Sequence, residues 1–306
     1  MAREPDYSPD EHRKPASRWS LPTHHQDQES LERGGQGSSP PSPQIPSPNT
    51  PQLRPERQAY RVIDRDRPLQ LRDSEIRTLA DIGTFRSVTL PDLARYRYGG
   101  DLRQALAEIR NLTRQRLVQV RTALPEATVY LALSREGQKF LSRHRPREIP
   151  SNQVFYSRFV KPREAKHDAA LYRLYQDAAR RIAHDGGRVR RVVLDFELKK
   201  SVYRRLAKVP ELPESEQAGR RREIAEEHGL TVVNGKIPLP DVRIEYETRD
   251  REQTKVDLEL ATSDYHHSSL AEKSQAGFAI FALQEDAAPL RRAIGDPELT
   301  KDIFSI

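Results

Sequence analysis

The sequence contains no cysteine, a single methionine and a single tryptophan, and it has no long apolar run. The absence of cysteine excludes disulfide bonds, thiolate metal ligands and cysteine nucleophiles. No apolar run approaches the roughly 18 residues that a membrane-spanning helix needs. The first residues, MAREPDYSPDEHRKPASRW, lack the apolar core of a secretory signal. We therefore expect a cytoplasmic protein that has no membrane partner and is stabilised by packing.

Positive charge is concentrated in one segment of the chain. The formal net charge is +7, and residues 67–146 alone hold 15 lysines and arginines against 8 aspartates and glutamates. Residues 1–66 and 147–306 are nearly balanced. A local excess of positive charge is typical of proteins that bind a polyanion such as DNA. The alternative is a basic, solvated surface that has no partner.

The N-terminal segment differs from the rest of the chain in composition. Residues 1–66 hold about half of the 23 prolines, and the stretch RGGQGSSPPSPQIPSPNTPQLRPERQ has almost nothing to bury. Such composition cannot offset the entropy of ordering the chain. We predict a disordered, proline-rich tail over residues 1–66 that acts as a flexible tether.

Residues 67–146 show the element order of a winged helix-turn-helix domain. DSEIRTLADIG has apolar residues at helical spacing, and TLPDLARYRYGG begins with a capping Thr89, has Pro91 near its start and ends on Gly-Gly. DLRQALAEIRNLTRQRL has one apolar stripe and a basic edge. Two apolar strands, LVQV and TVYLAL, and a closing helix, SREGQKFLSRH, follow.

In a winged helix-turn-helix domain, the third helix can enter the major groove and the hairpin can touch the flanking backbone. The side chains that we predict to contact double-stranded DNA are Arg103, Arg110, Asn111 and Arg114 on the third helix and Arg121 at the wing. The alternative is a winged helix that contacts protein, with its arginines merely solvated. The local charge favours DNA.

A linker over residues 147–165 leads to a second unit, residues 166–290, and a C-terminal tail, residues 291–306. The second unit contains a helix, AKHDAALYRLYQDAARRIAHDGG, a strand, RVRRVVLDFELKK, and a more solvated helix, ESEQAGRRREIAEEHGL. A hairpin follows, and then a helix over SLAEKSQAGFAIFAL, where Ser269 and Glu272 match a capping box. This order predicts a mixed α/β domain.

The hairpin gathers carboxylates. DVRIEYE and KVDLEL alternate apolar and charged residues, so burying both apolar sets on one side places both charged sets on the other. We therefore expect Asp241, Asp257, Glu259 and Lys255 close together on one wet sheet face. Carboxylates on adjacent strands can bind Mg²⁺, which can activate water at a scissile phosphate.

The candidate metal ligands and catalytic residues are Asp241, Asp257 and Glu259, with Lys255 or Lys273 holding the phosphate or the attacking water. The alternative is an ordinary exposed charged face, with Arg243 opposite Glu259 as a cross-strand ion pair. His167 is assigned no role, because a lone histidine near a helix start is more often a capping or packing residue.

LPDVRI, VDLELATSDY and EKSQAGF together resemble the replication-relaxation family of plasmid and mobile-element proteins. The resemblance extends to KHDAALYRLYQDAARRI and VVLDFELKK, and so covers roughly residues 69–285. It implies a winged helix joined to a restriction-endonuclease-like α/β domain of the PD-(D/E)xK type, a mixed α/β or α+β architecture. Pro240 and Asp241 match the Pro-Asp element, and Asp257 and Glu259 match an acidic pair. Because Glu259 stands where the nuclease pattern has lysine, either Lys255 or Lys273 substitutes for it or the site is inactive.

Three functions are compatible with these features. The favoured one is a DNA-binding accessory protein of plasmid or mobile-element replication or mobilisation, which acts with other replication or mobilisation proteins. The second is a Mg²⁺-dependent DNA endonuclease or nickase. The third is a transcriptional regulator whose second domain serves for assembly.

Overall fold

The computed structural model describes residues 59–64, 67–124, 127–159, 161–262, 265, 267–294 and 303–305. Almost all of the predicted proline-rich tail lies outside these ranges. The described residues form a mixed α+β fold, which confirms the predicted class. No helix among them is long and apolar enough to cross a membrane.

The N-terminal part of the fold spans residues 60–143. Its elements, in chain order, are β1 (Tyr60–Asp64), β2 (Arg67–Leu71), α1 (Asp73–Thr84), β3 (Val88–Thr89), α2 (Leu90–Arg97), α3 (Leu102–Arg114), β4 (Val118–Ala123), β5 (Thr128–Leu133) and α4 (Arg135–Arg143). β1 and β2 form an antiparallel pair. β3, β5 and β4 form a three-stranded antiparallel sheet in that order.

The sequence explains the start of α2 and of α3. The Thr89 hydroxyl accepts a hydrogen bond from the backbone N–H of Asp92, with proline in the first turn of α2. Gly99 and Gly100 follow with φ of 60° and 92°, which a glycine adopts without strain. Asp101 then caps α3 by accepting from the N–H of Gln104. These caps fix the turn between the two helices.

A buried polar network holds α3 against α1 and α2. The carboxylate of Glu108, 1% exposed, accepts from the Ser74 hydroxyl at 2.8 Å and from the Tyr98 hydroxyl at 2.6 Å. Tyr98 and Thr78 also share a 2.5 Å hydrogen bond. Burial, reinforced by the neighbouring Glu108 charge, raises the pKa of Tyr98. A satisfied network of this kind fixes one orientation of the helix.

The C-terminal part spans residues 162–305. Its elements, in chain order, are α5 (Pro162–His184), β6 (Arg188–Leu194), α6 (Asp195–Leu206), a 3₁₀ turn (Val209–Glu211), α7 (Glu214–Glu227), β7 (Val242–Glu247), β8 (Gln253–Ala261), α8 (His267–Gln275), β9 (Ala279–Ala282), α9 (Gln284–Ile294) and β10 (Ile303–Ser305). They build a five-stranded sheet in the order β10-β9-β8-β7-β6. β6, β7 and β8 are antiparallel, whereas β9 runs parallel to β8 and β10 to β9.

Two predicted elements of this part are wrong. RVRRVVLDFELKK is not one strand: β6 ends at Leu194 and α6 begins at Asp195, where acidic residues in the first turn favour a helix start. The helix predicted over SLAEKSQAGFAIFAL stops at Gln275, because Gly277 has a φ of 84°. The apolar AIFA stretch that follows is the buried strand β9.

Three predicted boundaries also change. The tail predicted up to residue 66 is wrong for residues 60–64, because β1 pairs with β2 and Asp64 accepts a double hydrogen bond from Arg143. The predicted linker 147–165 ends early, since α5 begins at Pro162. The predicted C-terminal tail 291–306 contains the end of α9 and the edge strand β10. Local composition gave no sign of these long-range strand pairings.

The two parts pack directly on each other. Tyr172 of α5 is fully buried and places its ring 5.3 Å from that of Phe85 and 5.9 Å from that of Tyr96. Gln153, from the connecting segment, binds both the backbone N–H and the C=O of Val192 in β6. The sheet of the C-terminal part is therefore anchored to the N-terminal helices.

Candidate functional site

The exposed face of α3 is basic. Arg103, Ala107, Arg110 and Arg114 are all exposed and are separated by four, three and four positions, the spacing of one helical stripe. Within the described ranges, none of the three arginines forms an ion pair with a carboxylate. The stripe thus presents three unpaired guanidinium groups along one side of the helix.

An apolar groove of about 640 Å³ lies beside this stripe, between α3 and the β4–β5 hairpin. Leu106 and Ile109 line it from the helix and Val120 and Val129 from the hairpin, and Arg110 and Arg114 of the stripe also contribute. Arg121 of β4 is exposed and places its guanidinium 4.7 Å from the ring centroid of Phe159. The basic stripe and the hairpin therefore belong to one surface.

Asn111 does not belong to this basic surface. Its side-chain amide is half-buried and donates to the Gln70 carbonyl at 3.1 Å and to a Glu75 carboxylate oxygen at 2.7 Å. Glu75 itself is only 1% exposed. The structure therefore uses Asn111 to bind α3 to α1 and β2, in contrast to its predicted contact with DNA.

The charged side of the β7–β8 hairpin is buried, so the predicted wet face is wrong. Arg243 is 5% exposed and Glu259 is 0% exposed. The guanidinium of Arg243 donates to the carbonyls of His228 and Gly229, at the C-terminal end of α7. This helix end covers the face that the alternating pattern alone leaves open to solvent.

The register separates Asp257 from the other two predicted metal ligands. Arg243 is the cross-strand partner of Asp257, and its Nε and Nη2 donate to the two Asp257 carboxylate oxygens at 2.6 and 2.9 Å. Lys255 lies 3.8 Å from the same carboxylate and donates to the Gly229 carbonyl. Asp257 and Lys255 therefore belong to a structural ion-pair cluster around Arg243.

Asp241, Glu259 and Lys273 do come together. Asp241 immediately precedes β7, and its backbone N–H lies 3.3 Å from a Glu259 carboxylate oxygen on β8. Lys273, in the last turn of α8, places its Nζ 2.8 Å from Glu259 Oε1 and donates to the Leu239 carbonyl at 2.6 Å. Two carboxylates on adjacent strands thus share a site with an amine from a helix.

Two further side chains position these carboxylates. The Tyr265 hydroxyl donates to Glu259 Oε1 at 2.6 Å. His167 of α5 lies with Nε2 3.5 Å from Asp241 Oδ2, which also accepts from the Leu260 N–H at 2.9 Å. No local pattern around His167 indicates this role, because its contact with Asp241 arises only when α5 packs against the sheet.

The environment pushes the pKa values of the two carboxyl groups apart. Burial raises the pKa of Glu259, and the neighbouring Asp241 charge adds to this effect, while Lys273 opposes it. Burial also acts to raise the pKa of Asp241, but the hydrogen bond and charge of His167, together with the Leu260 N–H and the charge of Lys273, outweigh burial and lower it. The pKa of His167 is raised by the same pairing, against its burial. Asp241 is therefore the ionised member of the pair and Glu259 the one that holds a proton more readily.

The two carboxylates lie at a pocket of about 540 Å³. Asp241, Glu259, Tyr265 and Lys273 form one side of it, and residues of α6, α7 and the segment before β7 form the rest. We call it the acidic pocket. Carboxylate oxygens suit Mg²⁺, which proteins often hold through one or two carboxylates together with substrate phosphates. Asp241 and Glu259 fit that donor set, whereas no group of three or more acidic or histidine side chains arranged for a metal occurs among the described residues.

Neither the protein-family models, nor the curated proteins, nor the solved structures gave a match to this chain. The likeness to the replication-relaxation family therefore rests on the quoted motifs alone. The molecule itself presents a basic helix stripe and a pocket that combines two carboxylates with a lysine.

Proposed function

We propose that the protein is a DNA-binding accessory protein of plasmid or mobile-element replication or mobilisation, and that α3 docks on duplex DNA. The observation that carries this proposal is the stripe of unpaired arginines at Arg103, Arg110 and Arg114. Guanidinium groups bond phosphate oxygens and, in the major groove, guanine edges. Arg121 on the hairpin adds a contact to the flanking backbone.

The architecture around α3 supports a winged helix-turn-helix arrangement. Three helices precede a β-hairpin, and the hairpin strand β5 pairs with the short β3 to complete one sheet. The Glu108 network holds α3 rigidly, and a rigid helix keeps its basic side chains aligned for a groove. The apolar groove beside α3 is the feature that a protein partner would use instead.

The test is duplex binding by fluorescence anisotropy across a range of salt concentrations. We expect Arg110→Ala and Arg114→Ala to lower affinity, by about 1 to 3 kcal/mol where the arginine bonds a guanine edge. Each lost phosphate contact should reduce the salt slope by about 0.9. Arg222→Ala, an exposed arginine of α7, is the matched control and should change neither quantity. Unchanged affinity in both α3 variants would assign this surface to a protein partner.

A second candidate function, Mg²⁺-dependent phosphodiester cleavage, is favoured by the position of Lys273. The backbone pairing sets Glu259 across from Asp241, so Glu259 corresponds to the second acid of the nuclease pattern. The position two residues on, where that pattern has lysine, is the buried Ala261. Lys273 supplies an amine at 2.8 Å from Glu259 instead. In this proposal Glu259 therefore takes the role of the second acid in place of Asp257, which is bound by Arg243.

The side chains of the acidic pocket have distinct tasks in such a reaction. Hydrolysis adds a hydroxyl group to phosphorus and returns a proton to the leaving sugar oxygen. Mg²⁺, when held by Asp241 and Glu259, would neutralise charge on the phosphate. Lys273 is placed to hold a phosphate oxygen or the attacking water, while Tyr265 and His167 fix the orientation of the two carboxylates.

Incubation with supercoiled plasmid and Mg²⁺ or Mn²⁺ tests this second candidate. Nicked or linear DNA is expected from the wild type, and Asp241→Ala and Lys273→Ala should abolish it without weakening duplex binding. Lys255→Ala is the matched control, because Lys255 lies in the Arg243 cluster and outside the acidic pocket. If neither metal supports nicking, the second candidate is wrong and the DNA-binding proposal stands alone.

A further inference from the structure

An inserted helical segment forms one wall of the acidic pocket. β6 and β7 are antiparallel neighbours, with Leu194 paired to Val242, so a short turn would suffice to connect them. Residues 195–241 connect them instead, and this segment contains α6 and α7. It leaves the sheet beside Asp241, at the end of the strands where the acidic pocket lies. The insertion therefore shapes the entrance to that site.

The inserted segment packs into a buried cluster that it shares with the rest of the C-terminal part. Leu198 and Val202 of α6 pack with Ile224 of α7 and with Leu239 and Phe278 in one buried cluster. Because these residues are buried, the helix is held in a fixed orientation. Tyr203, which follows Val202 in α6, is 53% exposed and lines the acidic pocket. A rigid helix thus presents a largely exposed aromatic ring at the pocket.

Apolar side chains line the acidic pocket together with Tyr203. Leu206, Ile237 and Pro238 line the same pocket. An exposed tyrosine ring is a platform on which a nucleobase can stack, and stacking does not depend on base identity because every base has a π-face. These apolar side chains can add van der Waals contact to the face of a stacked base.

One cation of the pocket has no carboxylate partner. Lys199 pairs with Asp195, Lys236 lies 3.6 Å from Glu272, and Lys273 pairs with Glu259. Arg221 of α7 donates only to the side-chain oxygen of Gln217, at 3.3 Å, and forms no ion pair within the part of the chain that the structure describes. Its guanidinium is therefore available for a phosphate oxygen.

We propose that the acidic pocket binds an unpaired nucleotide of a single DNA strand, with its base stacked on Tyr203 and a phosphate on Arg221. The base faces of duplex DNA are stacked on each other, so only a single strand or an extruded nucleotide can use the ring. The volume of about 540 Å³ lies within the range of small-ligand pockets, roughly 300 to 1,000 Å³. The proposal rests on the proposed phosphodiester site, since it names the substrate of that pocket.

The experiment compares the binding of an oligothymidylate single strand with that of a blunt duplex, in the absence of divalent metal. Tyr203→Ala should weaken oligothymidylate binding by about tenfold, the loss of one stacked base. Tyr203→Phe retains the ring and should bind as the wild type does. Arg221→Ala should weaken single-strand binding and lower its salt slope, and none of these variants should change duplex affinity.

A fluorescence signature reports the stacking directly. The only tryptophan of the chain is Trp19, so Tyr203→Trp in a Trp19→Phe background gives a single reporter at the pocket. Its emission should be quenched by oligothymidylate. Tyr60→Trp in the same background is the control, an exposed position in β1 that should remain unquenched. Equal quenching at both positions, or none at the pocket, would overturn the proposal.

The failures of the two proposals are distinguishable. If duplex affinity is absent or does not respond to Arg110→Ala, the α3 docking proposal fails while oligothymidylate binding to the pocket persists. Absence of plasmid nicking would remove the cleavage reaction and leave nucleotide binding intact. If circular dichroism shows that Tyr203→Ala is folded and its oligothymidylate affinity equals that of the wild type, the pocket does not use Tyr203 for stacking and this inference is wrong.

Discussion

The amine of Lys273 lies 2.8 Å from a carboxylate oxygen of Glu259, although Glu259 belongs to strand β8 and Lys273 to helix α8. Glu259 is fully buried and faces Asp241 across the hairpin. The lysine thus offsets part of the repulsion between two carboxylates that share one pocket. The pair gives the site an amine, which the hairpin motif itself lacks at the position of Glu259.

This pairing predicts a pH dependence of stability. Because burial raises the pKa of Glu259, the folded state binds its proton more tightly than the unfolded state does. The contribution of protonated Glu259 to stability is present below the ordinary glutamate pKa and is lost as the pH rises through the raised pKa of the folded state. The unfolding free energy of Glu259→Gln should therefore fall less than that of the wild type between the acidic range and neutrality. Urea denaturation at a series of pH values measures this, and parallel curves would contradict it.

A second prediction separates Asp257 from Asp241. Asp257→Ala leaves the guanidinium of Arg243, 5% exposed, without its bidentate partner, and we expect a loss of about 3 to 5 kcal/mol in unfolding free energy. Lys255→Ala, which removes only the more distant cation of the cluster, should cost less than about 1 kcal/mol. Thermal and urea denaturation provide the measurement. A fully stable Asp257→Ala protein would return Asp257 to the list of candidate metal ligands.

Much of the N-terminal fold was predictable because its signals are local. Thr89, Pro91 and the Gly99-Gly100 pair act within one or two turns of the helices that they start or stop. β1 and β10 were missed, because each exists only through pairing with a strand that composition does not indicate. Short edge strands of this kind carry little local preference.

Part of the candidate site was also predictable, because the alternation of residues along a strand is a local signal. The period of two placed Asp241, next to β7, and Glu259, on β8, on the same side of the hairpin, but it leaves open which charged residue faces which. The register put Arg243 opposite Asp257, and the end of α7 then buried the face that the pattern left open to solvent. His167 contacts Asp241 from α5 and Tyr203 lines the pocket from α6, so the spacing of residues within the hairpin carries no information about either.

A third prediction tests the structural role of Asn111. Asn111→Ala removes hydrogen bonds to the Gln70 carbonyl and to the buried Glu75 carboxylate, so we expect a loss of about 1 to 3 kcal/mol in unfolding free energy. Arg110→Ala, one residue earlier and exposed, should stay within about 0.5 kcal/mol of the wild type. At a temperature where both variants are folded, Asn111→Ala should retain duplex affinity and Arg110→Ala should lose it. The reverse pattern would assign Asn111 to the DNA interface.

The last prediction concerns Arg86, which joins the two parts of the fold. Its guanidinium lies 3.7 Å from the ring centroid of Phe196, at the start of α6, and its Nε lies 3.5 Å from the buried Asp168 of α5. Removal of this arginine leaves Asp168, 2% exposed, without its cation, and we expect Arg86→Ala to lower the unfolding free energy by about 2 to 4 kcal/mol.

The same variant should show a definite pH dependence. Burial raises the pKa of Asp168 to about 6, and Arg86 works against that rise. A carboxyl group with a raised pKa stabilises the fold at low pH, and this contribution is lost as the pH rises through that pKa. Removing Arg86 should therefore lower the unfolding free energy more near neutrality than in the acidic range. In an Asp168→Asn background the extra cost at neutral pH should disappear, and only the loss of the contacts with Phe196 and Glu164 should remain. Equal destabilisation at both pH values in the wild-type background would show that Arg86 does not act through the charge of Asp168.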